Sequence, residues 1–255
     1  MSGQVMDTRT LEKFQADGFL AIREFYLDED LNELLDNVNR FVRDIAPGMR
    51  PEQVFYENKE DPGTLKQIQQ LGDHDSWFHE LFTASRFREL AEQLLDGPVV
   101  PKNLQFFNKP AKSGQPTPPH QDGYYFKLDP CEAVTMWFAL DKADEENGCV
   151  RYVKGSHDLG MREHARTQTL GFSQGIVDYP TADDSSAEVA MPASPGDLIV
   201  HNALTIHRAD RNQSADRSRR SLGFVYFSER ACEDAQAIAD YQRRLTQDMK
   251  AQRRI

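Results

Sequence analysis

A chain of 255 residues with 39 % hydrophobic and 28 % charged positions has the make-up of an ordinary globular protein with a buried core, which excludes a disordered or fibrous polypeptide. Its formal net charge of −11 disfavours unspecific binding to nucleic acid or to an anionic membrane, because both repel an acidic surface. No stretch approaches the roughly 18 apolar residues of a membrane span, and Met1–Thr10 lacks the apolar run of a secretion signal. A single cytoplasmic domain over 1–255 is therefore expected, with Cys131, Cys149 and Cys232 as reduced thiols rather than a disulfide framework or a zinc site.

Leu11 to Phe25 mixes a short helical pattern with an apolar run. Asp28 to Ile45 then reads as an amphipathic helix, with Leu31, Leu34, Leu35, Val38, Phe41, Val42 and Ile45 at helical spacing. A second helix is predicted from Ser85 to Leu95, where Phe87, Leu90, Ala91, Leu94 and Leu95 form a stripe and Gly97 supplies the stop. Residues 1–97 thus read as mainly helical. From about 98 to 228 the pattern changes to short β-type runs: Leu104–Asn108, Ala133–Leu140, Cys149–Val153, Asp197–His201 and Ser221–Phe227. Their spacing predicts a sandwich or barrel. Ala111–Pro119 and Tyr179–Glu188 read as loops of a kind that carries function, and a surface helix is expected over about 230–250.

His120-Gln121-Asp122 follows the Pro-rich loop. If a strand begins there, the two outer residues point to one side and can grip one ion. A His-x-Asp triplet is common by chance, so it means little without a third ligand. His207 and His201 both compete for that role; His207 follows an apolar strand and precedes an arginine-rich loop. Two histidines and one carboxylate leave three positions of a metal open, the arrangement that suits iron(II) activating dioxygen beside a chelating co-substrate. A closed zinc site would recruit a fourth protein ligand. A dicarboxylate co-substrate needs a guanidinium fork, and Arg219 stands twelve residues after His207. A strand starting near Arg219 would line it up with Ser221, Gly223 and Val225, small neighbours that leave room for a ligand.

Six segments together resemble the phytanoyl-CoA dioxygenase family of iron(II)/2-oxoglutarate oxygenases: FQADGFLAIREFY (14–26), NKPAKSGQPTPPHQDGYYF (108–126), VTMWFALD (134–141), ENGCVRYVKGSHDLG (146–160), PGDLIVHNALTIHRA (195–209) and RRSLGFVY (219–226). The resemblance implies a double-stranded β-helix, or jelly roll, that is mainly β with helices packed outside. It implies His120, Asp122 and His207 as iron ligands rather than acid–base catalysts, and Arg219 as the salt-bridge partner of 2-oxoglutarate. It further points to Lys109 and Trp137 as co-substrate contacts and to Gln105 as a pocket residue. Where the family often has a hydroxyl two residues after the distal histidine, this chain has Ala209.

The implied reaction is hydroxylation of an unactivated C–H bond of a small-molecule substrate, with dioxygen consumed and 2-oxoglutarate converted to succinate and CO2. A related halogenase would have Gly or Ala in place of Asp122, a nucleic-acid demethylase sits badly with the acidic balance, and a non-catalytic jelly-roll binding protein would be expected to lack a ligand or the arginine. A CoA thioester would prefer a basic entrance, so a small polar substrate is preferred to an acyl-CoA. His157 and His164 read as loop-ordering residues, and His74 and His79 as surface positions. Tyr124, Tyr125 and Phe126 are either core or pocket wall. Oligomeric state leaves no mark on the sequence.

Overall fold

The computed structural model describes residues 6–112, 114–169, 172–240 and 243. The chain opens with α1 (Thr8–Asp17), β1 (Phe19–Ile22) and α2 (Asp28–Arg40), the last running on through a wider π turn to Ile45. Asp7 caps α1 by accepting from the Thr10 amide, and Asp28, Glu29 and Asp30 place negative charge in the first turn of α2, where the helix dipole favours it. Next come β2 (Val54–Tyr56), β3 (Leu65–Ile68), α3 (Leu71–His74), α4 (Ser76–Thr83) and α5 (Arg86–Leu94). The remaining elements are β4 (Val99–Lys109), β5 (Thr117–His120), α6 (Gly123–Phe126), β6 (Leu128–Asp129), β7 (Ala133–Ala139), β8 (Val150–Val153), β9 (His164–Thr169), β10 (Phe172–Ile176), α7 (Ala182–Ala187), β11 (Glu188–Met191), β12 (Leu198–Asn202), β13 (His207–Ala209), β14 (Arg219–Ser228) and β15 (Cys232–Glu233).

Seven strands form one antiparallel sheet in the order β1-β12-β7-β14-β4-β3-β2, and four form a second in the order β11-β8-β13-β5. The two face each other as a jelly roll, with Phe19 of the large sheet stacked on Tyr152 of the small one at 4.7 Å between ring centroids. Alternation along each strand assigns the two faces of the large sheet. Leu104, Phe106, Met136, Phe138, Leu222, Phe224 and Tyr226 point outward into the main core, where α2, α4 and α5 cover them. Phe87 of α5 stacks on Phe224 at 4.0 Å and meets Phe138 edge-on at 5.7 Å. Each such ring contributes roughly 1.5–3 kcal/mol by burial. The other face, with Thr135, Trp137, Arg219, Gly223 and Gln105, looks towards the small sheet.

The turn into β12 depends on Gly196, at φ +89°, where a Cβ would lie 2.2 Å from the Tyr26 carbonyl oxygen. Asp197 then accepts from the amides of Ser194 and Glu24 and pairs with Arg23, tying β12 to the β1 edge.

Several expectations change. Residues 1–97, where described, are mainly helical as expected, with α1 to α5, but β1, β2 and β3 among them join the large sheet, and strands of three or four residues carry little local signal. The 111–119 loop contains the start of β5, and the 179–188 loop contains α7, begun by a capping box between Thr181 and Asp184. In the tail, residues 235–240 are helical, Cys232–Glu233 pairs with β6, and 244–250 lie outside the described residues. No helix among the described residues is long and apolar enough to cross a membrane.

Candidate metal and co-substrate site

His120 ends β5 and pairs with His207, which begins β13. Asp122 is not on a strand: its backbone is helical (φ −61°, ψ −35°) and opens the single turn α6. The strand alternation expected for His120 and Asp122 is therefore wrong. Their convergence comes from the chain turning sharply after β5. Gln121 holds that turn by donating to the carbonyls of Gly160 (2.8 Å) and Leu204 (2.7 Å) and accepting from the Arg162 amide (2.8 Å).

One donor atom from each of His120, Asp122 and His207 lies within 4.8 Å of the others. The Nδ1 of His120 faces the Pro118 carbonyl at 2.8 Å, and that of His207 faces the Thr205 carbonyl at 3.0 Å. A carbonyl only accepts, so each Nδ1 carries the proton and each Nε2 presents a lone pair. Those lone pairs face Asp122 Oδ1 at 3.4 and 3.7 Å. Three acceptors converging without a proton between them call for a cation, and this donor set suits a divalent transition metal. Burial holds His207 well below the usual imidazole value, with His120 and His201 adding to it. For Asp122 burial acts upward, but the charge of a protonated His207 and hydrogen bonds from His120 and His201 outweigh it, so a proton entering this group would settle on an imidazole and the carboxyl is held well below its ordinary value.

His201 lies beside this group in a different role. Its Nε2 meets Asp122 Oδ2 at 3.1 Å, and its Nδ1 lies 3.2 Å from the Tyr152 hydroxyl. Thr135 donates to the same Oδ2 at 2.6 Å. One carboxylate oxygen is thus held by protein donors while the other faces the two imidazoles.

Arg219 opens β14, as expected, opposite Lys109 on β4. Its guanidinium lies 5.2 Å from the Trp137 ring centre, it is buried, and its Nε has no hydrogen-bond partner. Burial lowers its pKa to about 10. Lys109 is buried too, donates to the Gln115 carbonyl, and is pushed well below its ordinary value by burial and by Arg219. Nearby Lys66 is answered by Glu57 at 3.0 Å, whereas no carboxylate among the described residues pairs with Arg219. Such a buried, unanswered cation is costly unless an anion arrives. Gln105 sits on the same face, across Gly223 from Trp137.

All seven residues picked from the sequence therefore meet on or beside the inner face. Sequence reasoning placed Ser221 beside Arg219 only as a small neighbour, whereas its buried Oγ lacks a partner, and it did not single out Thr135 as a holder of Asp122 or Gln67 as bonded to Gln105. Of the aromatic trio, Tyr125 stands edge-on to His120 at 5.9 Å, Tyr124 stacks on His164 at 4.3 Å, and Phe126 packs on Phe227 in the core. His157 and His164 order loops, bonding the Gln15 carbonyl and the Gln121 amide, and His74 and His79 are exposed.

The family description "Phytanoyl-CoA dioxygenase (PhyH)" matches residues 14–221. A Caenorhabditis elegans protein described as a phytanoyl-CoA dioxygenase domain-containing protein 1 homolog is 26 % identical over 251 residues, spanning 82 % of this chain and 86 % of its own. EvdO2 from Micromonospora carbonacea var. aurantiaca, solved with 2-oxoglutarate, superposes with a TM-score of 0.70 at 26 % identity, covering 91 % of this chain and 94 % of that one. The epimerase SnoN, solved with Fe3+, alpha-ketoglutarate and nogalamycin RO, superposes at 0.71 with 24 % identity, covering 91 % and 87 %. With the fold, the His-Asp-His group and this match all in hand, the chain belongs to the phytanoyl-CoA dioxygenase family of iron(II)- and 2-oxoglutarate-dependent oxygenases.

Proposed function

We propose that His120, Asp122 and His207 hold iron(II), that Arg219 pairs with the distal carboxylate of 2-oxoglutarate, and that the protein hydroxylates a C–H bond of a small polar organic molecule. The observation that carries this reading is the pairing of three convergent acceptors with a buried guanidinium that no carboxylate among the described residues answers. Bound iron(II) and 2-oxoglutarate would supply dioxygen activation and the oxidising power, releasing succinate and CO2. The chain's own residues bind, orient and shield. The carbonyls of Pro118 and Thr205 aim both imidazoles. Thr135 and His201 keep Asp122 to a single free oxygen. Arg219 gives the co-substrate a forked, desolvated contact, with Lys109 adding positive potential and Trp137 a flat wall. Three free thiols are at home in a reducing compartment, and the reading places the protein in the cytoplasm.

The test is an anaerobic titration of the apo-protein with iron(II) and 2-oxoglutarate, following the weak visible charge-transfer band of a keto acid chelating ferrous iron. The band is expected in the wild type, absent in His207→Ala, and present in His201→Ala with iron affinity reduced on the order of 10–100-fold. Tight iron binding without the band would overturn the co-substrate assignment. Loss of the band in His201→Ala but not His207→Ala would exchange the two histidines.

A further inference from the structure

We infer that Gln67 and Gln105 form a neutral amide edge that selects a substrate carrying a hydroxyl or carboxamide group, an inference that rests on the oxygenase reading above. Gln67 lies on β3 opposite Phe107, so Gln67 and Gln105 are diagonal neighbours on one face. That face continues through Gly223 to Trp137, and through Ser221 towards Arg219. The pair is therefore part of the surface that holds the co-substrate residues, on the side of the sheet formed by β4 and β3.

Gln67 Nε2 donates to Gln105 Oε1 at 2.8 Å. Each amide has one acceptor oxygen and an NH2 group with two hydrogens, so this bond does not use the oxygen of Gln67 or the NH2 of Gln105, and only one hydrogen of the Gln67 NH2 is engaged by it. Turning both amides around exchanges the atoms but still leaves one acceptor and one donor. Gln67 is only 3 % exposed, and its Oε1 is buried without a partner. Gln53, one residue before β2, repeats the pattern: its Nε2 donates to Gln70 Oε1 at 2.7 Å, and its own Oε1 is buried without a partner.

A hydroxyl or carboxamide both donates and accepts, and satisfies such an edge from both sides. A hydrocarbon chain satisfies neither atom and would seal an unpaired carbonyl in a dry site. A phosphate or carboxylate only accepts, and would press against the Gln67 oxygen. An ammonium only donates, and would meet the Gln105 nitrogen. The chemistry fits a polyhydroxylated or amide-bearing small molecule better than an acyl thioester.

The experiment uses the anaerobic protein loaded with iron(II) and 2-oxoglutarate, and reads displacement of the charge-transfer band as each probe binds. The probes are myo-inositol, glucose and glutamine against octanoate and octanoyl-CoA. At least one of the first three is expected to shift the band. Gln67→Leu should weaken that binding by roughly tenfold or more while the 2-oxoglutarate band itself still forms. The double variant Gln67→Leu/Gln105→Leu should melt no lower than wild type, because removing both amides removes the buried, unpartnered Gln67 oxygen and leaves no orphan behind. A shift only with the octanoyl probes, no shift with any probe, unchanged affinity in Gln67→Leu, or a marked fall in the double variant's melting temperature would overturn the inference. Absence of the band from the wild type would instead bring down the oxygenase reading and this inference with it.

Discussion

The same strands of the large sheet build two unlike faces. Outward, Met136, Phe138, Leu222, Phe224 and Tyr226 meet rings and aliphatic side chains from α2, α4 and α5, and the hydroxyl of Tyr226 donates to the Phe82 carbonyl at 2.9 Å. Inward, alternate residues of the same strands supply Arg219, Ser221 and, through β3, Gln67, each with a buried atom that nothing in the described protein satisfies. A period of two residues thus separates what holds the molecule together from what it holds ready for ligands. The outer face is stable as it stands, while the inner face is a set of costs that bound molecules would offset.

That contrast is broken or sharpened by opposite responses to substitution. Phe87→Ala, which removes the ring stacked on Phe224, should cost about 3–5 kcal/mol of unfolding free energy in a urea titration, with iron affinity of the folded fraction unchanged. Arg219→Met should weaken 2-oxoglutarate binding by about 2–5 kcal/mol, measured by titration, yet leave the melting temperature of the ligand-free protein equal or higher, because a buried unanswered charge is gone. A fall in melting temperature like that of Phe87→Ala would show that the inner face is ordinary core.

The smallest effect concerns His164, between the faces and the loops. Burial lowers its pKa from 6.5, and its Nε2 accepts from the Gln121 amide at 3.1 Å. The folded protein therefore takes up this proton less readily than the unfolded chain. Its contribution to stability is complete above pH 6.5 and is lost as pH falls from there towards the lowered folded value. Urea midpoints taken on either side of that pH should fall on the acid side, and the slope should be shallower in His164→Gln. An equal slope would place the pH dependence elsewhere.

Much of the outer face was legible because it is periodic. Leu34, Val38 and Phe41 repeat at helical spacing, and Ala133 to Leu140 reads as a buried strand, so α2, α5 and most long strands emerge near their observed limits. Strands of three or four residues, such as β1 and β13, are held by partners far away in the chain and have no such pattern. The candidate ligands were legible through motif order, but the reason they converge was not: Asp122 swings inward on a helical turn, not a pleat. His201 and His207 could be ranked only by motif order and by their spacing to Arg219. Which imidazole meets which oxygen of Asp122 depends on the pairing of β12 with β7 and of β13 with β5. The segment from Gln53 to Asp75 reads as a pocket loop, but Gln67 within it could not be singled out, since its partner is 38 residues away and glutamine on a short strand looks like any exposed polar residue.

Gln121, the unremarked middle of the His-x-Asp triplet, works as a rivet through three separate stretches of chain, at 121, at 160–162 and at 204. Anyone regrafting the 160–164 loop to admit a different substrate would therefore be pulling on the peptide between two candidate metal ligands. Loop exchange should carry the Gly160 carbonyl and the Arg162 amide across unchanged, or shift catalysis and specificity together where only specificity was meant to move.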